Sequence, residues 1–139
     1  MGTKEFLEGV LSSSGHYCVF AARSEDDIRI QKFYDTIEEV ERAAYKFDND
    51  GLDVYFALAT FREPTNRKGD NAQEFKSLFL DLDVGPSKEY PTQQLAVSAL
   101  RSFCKQLSLP KPLMVNSGRG VHVYWLLTEA VSVEIWLDA

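Results

Sequence analysis

"FKSLFLDLDVG", residues 75–85, sets two carboxylates into a run that otherwise reads as a β-strand. Burying an unpaired carboxylate is so unfavourable that the group changes protonation, finds a cation or sits where water reaches it. Side chains at i and i+2 of a strand point the same way, so Asp81 and Asp83 share one face while Leu80, Leu82 and Val84 take the other. Two acids side by side ask for a shared counter-charge. Clustered hard oxygen ligands select Mg2+ or Mn2+, held by one or two protein carboxylates with substrate phosphates and water. The bland alternative is a strand that frays into a turn at Gly85-Pro86 and leaves both acids solvated.

Outward from this stretch the pattern is one of strands and helices. Upstream, "DVYFALATF" (53–61) is a strand whose near-continuous apolar character predicts burial on both faces, followed by the polar loop "REPTNRKGDNAQE". Downstream, a helix starts near Pro91 or Thr92 and ends before Pro110, with Ala96, Leu100, Phe103, Cys104 and Leu107 turned inward. "PLMVN" and "VHVYWLL", separated by "SGRG", predict a β-hairpin whose glycines take positive backbone torsions. Nearer the N-terminus, Phe6, Leu7, Val10 and Leu11 outline a short helix before the breaker "SSSG", and "HYCVFAAR" reads as a strand. A second helix opens at Thr36, which has capping-box spacing to Glu39, and carries the stripe Ile37, Val40, Ala44 and Phe47. The closing "TEAVSVEIWLDA" starts like a helix with Thr128 or Ser132 as its cap but meets no stop signal, so the chain reads as cut. The leading helix aside, the order β-α-β-β-α-β-β predicts an α+β fold, a mixed sheet with helices packed against it. Residues 1–139 form a single domain on this reading, incomplete at its C-terminal end.

Length and composition narrow the function. A chain of 139 residues with 45% apolar content can build one real core. It contains neither an apolar run long enough to span a bilayer nor a leading secretion signal, so the expected partners exclude membrane and the expected location is cytoplasmic. Cys18 and Cys104 lack CxxC or zinc spacing and are expected to be buried thiols. The net charge of −6 is unevenly placed: residues 1–60 hold 12 acidic and 6 basic side chains, whereas residues 61–139 hold 9 of each. The part containing Asp81 and Asp83 is thus the less acidic one, which permits phosphate contacts.

The second half of the candidate site is "VNSGRGVHVYW", residues 115–125. Gly118 and Gly120 allow a tight turn and a close approach to a ligand, Arg119 at the tip can reach a phosphate, and successive turn amides can cradle an anion. His122 follows at the start of an apolar strand, where it could donate to a triphosphate oxygen. A carboxylate pair for a metal, a Gly-Arg-Gly turn and a histidine are the parts that phosphoryl or nucleotidyl transfer needs.

"FLDLDVG", a helix, and then "VNSGRGVHVYW" resemble the first and second motifs of the archaeo-eukaryotic primase superfamily, in particular the primase-polymerase domains of phage and plasmid replication proteins. The acidic first motif is matched by Asp81-Leu82-Asp83, and the second, a Ser-x-His or Gly-x-His element, by Gly120-Val121-His122 with Ser117 and Gly118 just upstream. The similarity runs from about Tyr17 to the end. It implies an RNA-recognition-like primase-polymerase core acting as a template-directed nucleotidyltransferase, a DNA primase/polymerase that joins nucleoside triphosphates on a single-stranded DNA template. It also implies that Asp81 and Asp83 hold two divalent ions, Mg2+ or Mn2+, that His122 acts with them in catalysis, and that His122, Ser117, Gly118, Arg119 and Gly120 bind the triphosphate. Arg67, Lys68 and Lys76 are expected to contact phosphate or template, or else to be ordinary surface charge, and a helicase domain is expected in the full-length protein. The third acidic motif of the family has no match on a later strand: beyond His122 only Glu129, Glu134 and Asp138 remain, all in the presumed terminal helix.

Three other classes compete. A glycosyltransferase also uses Asp-x-Asp, but within a larger α/β nucleotide-sugar domain. A two-histidine replication nuclease needs a His-hydrophobic-His strand, whereas His16 and His122 stand far apart in sequence. A non-catalytic nucleotide- or nucleic-acid-binding module of α+β fold would present paired aromatics on an open sheet, and the adjacent Tyr124 and Trp125 point to opposite sides.

Overall fold

The second predicted helix shows how local sequence sets the elements. Thr36, in an extended conformation, accepts a hydrogen bond from the Glu39 amide at 3.2 Å, and the Glu39 carboxylate returns to the Thr36 hydroxyl and the Asp35 amide, satisfying donors that the first turn leaves open. The helix that follows buries Ile37, Val40, Ala43 and Phe47, while Ala44 is only half-buried. The third helix begins in the same way, with the Thr92 hydroxyl accepting from the Leu95 amide.

The computed structural model describes residues 1–138. Its elements are α1 (Thr3–Val10), β1 (Tyr17–Arg23), β2 (Ile28–Tyr34), α2 (Ile37–Asn49), β3 (Asp53–Phe56), β4 (Thr60–Phe61), β5 (Ala72–Asp83), α3 (Gln93–Gln106), β6 (Leu113–Asn116), β7 (Gly120–Ser132) and α4 (Val133–Leu137). The class is α+β, as expected, but the strands form two sheets: β2-β1-β3, and β4-β5-β7-β6. Among the described residues no helix is long and apolar enough to cross a membrane. Both cysteines are free and buried.

Three local expectations are corrected. "DVYFALATF" is not one strand buried on both faces: β3 ends at Phe56, and Thr60 and Phe61 pair with β5 in the other sheet. The apolar run serves two sheets in succession, and β3 is an edge strand whose Tyr55 is 54% exposed. "IRIQKFY" is a strand that the sequence reading passed over, joined antiparallel to β1 through a turn in which Asp27 adopts a φ of +54°. Finally, "TEAVS" continues β7, so only Ser132 caps a helix, accepting from the Ile135 amide, and Glu129 stands on a strand instead of a helix. β-branched Thr128, Val131 and their neighbours fit the pleat, and five helical residues leave little room for more.

The chain divides into two compact units. The first comprises Met1–Lys76 and residues 128–138. In it α2 packs on β1 and β3, and α1 packs on α2. A separate apolar cluster joins Cys18, Ala59, Phe61 and Ala72 with Phe33, Ala57, Phe75 and Val133. Phe75 is stacked on Trp136 at 4.2 Å between ring centroids. The second unit is Ser77–Leu127, and it holds the candidate site. Here α3 lays Leu100 and Cys104 over Val121 and Val123, with Leu82, Val97, Met114 and Trp125 around them, whereas Phe103 and Leu107, expected to turn inward, are exposed. Val123 is fully buried, a contribution of about 1.5–3 kcal/mol by transfer alone.

Candidate functional site

Strand alternation sends Leu82, Val121 and Val123 toward α3, so the intervening residues of β5 and β7 form the opposite face of the second unit. The Val84 amide donates to the Arg119 carbonyl at 3.0 Å, and Asp81 lies beside His122, so the two strands run in opposite directions. Continuing this register sets three cross-strand rows on the face away from α3: Phe79 with Tyr124, Asp81 with His122, and Asp83 with Gly120. The Asp81 Oδ1 to His122 Nε2 distance is 3.6 Å, with the side chains 52% and 35% exposed. Phe79 contacts both neighbours, edge-on to His122 at 5.4 Å and tilted against Tyr124 at 5.1 Å.

Asp81 and Asp83 are both exposed. The expectation of a buried strand is therefore corrected at this end, where Phe79 and Leu80 are also exposed. Water reaches the acids, so their presence in the strand requires no counter-charge for stability. The strand does not fray: β5 remains regular through Asp83. Tyr124 stands opposite Phe79 on the same face. Its burial, and then the nearby Asp81 carboxylate, push its phenol up from 10.0 to about 12.

The turn between β6 and β7 is built by side chains that the sequence reading did not single out. The Asn116 Oδ1 accepts from the Gly118 amide at 2.8 Å and from Gln93 Nε2, at the start of α3, at 2.8 Å. The Ser117 amide donates to the Gly120 carbonyl. Both of these amides are thus committed inside the turn, and the expected anion cradle of successive amides is not what they form. The groups left facing outward are the exposed Ser117 hydroxyl and the Arg119 guanidinium, which makes no hydrogen bond or ion pair among the described residues. Gly118 has φ +86°, as the hairpin expectation required. Gly120 does not take a positive φ; it is glycine because a Cβ there would lie 2.1 Å from the Leu82 carbonyl oxygen. Its close approach is to the neighbouring strand.

Arg67 and Lys76 belong to the first unit. The Arg67 guanidinium lies 4.9 Å from the centre of the Phe20 ring, and the Lys76 ammonium donates to the Glu8 carbonyl at 3.2 Å. Lys68 is exposed and lines the same open cavity as Arg67. His16, also in the first unit, hydrogen-bonds Asp35 at 2.6 Å. Asn116 followed by Ser-Gly carried a turn signal, and Phe79 followed from alternation alone; nothing local in the sequence marked Gln93.

The donor chemistry of the site fits a hard divalent cation: two carboxylates two residues apart on one face, both accessible and neither engaged by Lys or Arg. Among the described residues no group of three or more His, Cys, Asp and Glu side chains is gathered, so water and phosphate oxygens would complete any coordination shell. No protein-family model, curated protein or solved structure matches the chain.

Proposed function

We propose that this chain is a metal-dependent nucleotidyltransferase of the primase-polymerase kind, with its nucleotide site on the β5–β7 face. The observation that carries the reading is the Asp81–His122 approach of 3.6 Å on an exposed strand face that also bears Asp83. Residues 41 positions apart in sequence, and separately suspected of one chemistry, lie side by side. Asp81 and Asp83 would hold Mg2+ or Mn2+, which when bound neutralises charge on a triphosphate and lowers the pKa of an attacking hydroxyl.

The protein's own part is binding and orientation. Arg119, free at the tip of the turn, supplies charge-assisted hydrogen bonds to phosphate oxygens. The Ser117 hydroxyl adds a neutral donor on the same turn, and Gly118 and Gly120 keep that turn in shape. His122 stands where it can donate to a phosphate oxygen brought to the carboxylates. Asn116 and Gln93 hold the turn in place, so Arg119 is presented from a braced loop. Single-stranded DNA is the template in this reading.

Two assays test the proposal: nucleotide affinity in Mn2+ by calorimetry, and extension of a primed single-stranded template with labelled triphosphates. Asp81→Asn with Asp83→Asn is expected to abolish metal-dependent affinity and any extension. Unchanged affinity in that double variant refutes the metal site. Metal-independent binding of single-stranded DNA without transfer would instead favour the non-catalytic module.

A further inference from the structure

On the same face, and resting on the functional reading above, we propose that Phe79 is the platform on which the base of the bound nucleotide stacks, fixing the nucleotide's direction along β5. This face carries its chemistry in a fixed sequence. The turn that bears the exposed Arg119 lies at one end of β5, where the Arg119 carbonyl receives the Val84 amide; along the strand from there come Asp83 and Asp81, then Phe79. A nucleoside triphosphate has the same order: anionic phosphates, the metal they share with the protein, then sugar and base. From position 84 to position 79 the strand covers about 17 Å, a span suited to an extended nucleotide.

Phe79 is built to be used. It is 42% exposed although it sits mid-strand, two residues from Asp81 on the same face. Its two aromatic neighbours hold it at interplanar angles of 72° and 50°, so neither forms a parallel stack with it. Tyr124, opposite it, is almost completely buried and leaves Phe79 as the accessible ring of the pair. An aromatic ring offers every base a π-face, so such a platform binds without choosing among bases. Specificity for sequence would then come from a template and not from this contact.

The test compares a nucleoside triphosphate with inorganic tripolyphosphate, each titrated in Mn2+ into the wild-type chain, Phe79→Leu and Phe79→Trp. Leucine preserves apolar cover over Tyr124 but removes the ring. Phe79→Leu is expected to weaken nucleoside triphosphate binding roughly ten- to hundredfold while leaving tripolyphosphate affinity unchanged, and Phe79→Trp to retain the nucleotide affinity. Intact tripolyphosphate affinity also shows that the variant site is folded. If Phe79→Leu binds both ligands as the wild type does, or weakens both equally, the stacking role is wrong while the phosphate and metal site stands. If the wild-type chain binds neither ligand in Mn2+, the functional reading fails and this inference with it.

Discussion

Replacing Gly120 with alanine tests the geometry on which the candidate site depends. The added Cβ would lie 2.1 Å from the Leu82 carbonyl oxygen, 3.1 Å from its carbon and 3.3 Å from the Asp83 Cα. Ordinary contact begins near 3.4 Å, so β5 and β7 would have to separate locally by about 1.3 Å. All three obstructing atoms are backbone, and no rotamer change relieves them. Overpacking costs about 1–3 kcal/mol, and a clash with a hydrogen-bonded strand belongs at the upper end, about 3 kcal/mol. Gly118→Ala is the internal control: nothing lies within 4 Å of its added Cβ, and only the φ of +86° opposes it, at about 1 kcal/mol. Thermal denaturation should therefore rank Gly120→Ala well below Gly118→Ala, with a melting midpoint lowered by roughly 6–12 °C against the wild type. Manganese-dependent nucleotide affinity should fall with it, since Asp83 sits on the displaced backbone. A Gly120→Ala protein as stable as Gly118→Ala would refute the close approach and the strand register inferred from it.

Tyr124→Phe probes the electrostatics of the same face. The folded chain holds the phenol proton up to about pH 12 against about 10 when unfolded, so this contribution to stability is complete below pH 10 and is lost as pH rises toward 12. Wild-type stability, followed by denaturation across that window, should fall more steeply than that of Tyr124→Phe; parallel curves would contradict the burial of the phenol beside Asp81. Asn116→Ala removes the acceptor shared by the Gly118 amide and Gln93, and should cost about 1–2 kcal/mol while raising hydrogen exchange at Gly118. Exchange at that amide as slow as in the wild type would argue against the brace. Thr36→Ala removes the cap of α2 and should destabilise by about 1 kcal/mol in thermal melts, with the loss largely recovered by Thr36→Ser.

Local chemistry announced many of the elements. Thr36 and Thr92 cap the helices that follow them because a side-chain oxygen within reach of an open amide needs no distant partner. Alternation put Asp81 and Asp83 on one face, and a Gly-rich insertion between apolar runs marked the β6–β7 hairpin. Where a run was ambiguous by period, the local reading failed. "DVYFALATF" could not reveal that its two ends join different sheets, and "TEAVS" has the composition of either a helix start or a strand.

The sequence by itself determined the α+β class, the two capped helices and the pairing of two carboxylates on a strand, because each depends on neighbours within a few residues. Only the tertiary structure decided that those acids face water, that His122 comes to rest 3.6 Å from Asp81, and that Gly120 is required by the Leu82 carbonyl. These are properties of the register between β5 and β7, strands separated by a helix and a further strand. Register is fixed by which side chains α3 buries against the sheet, a sum of many weak contacts that no single stretch of sequence displays.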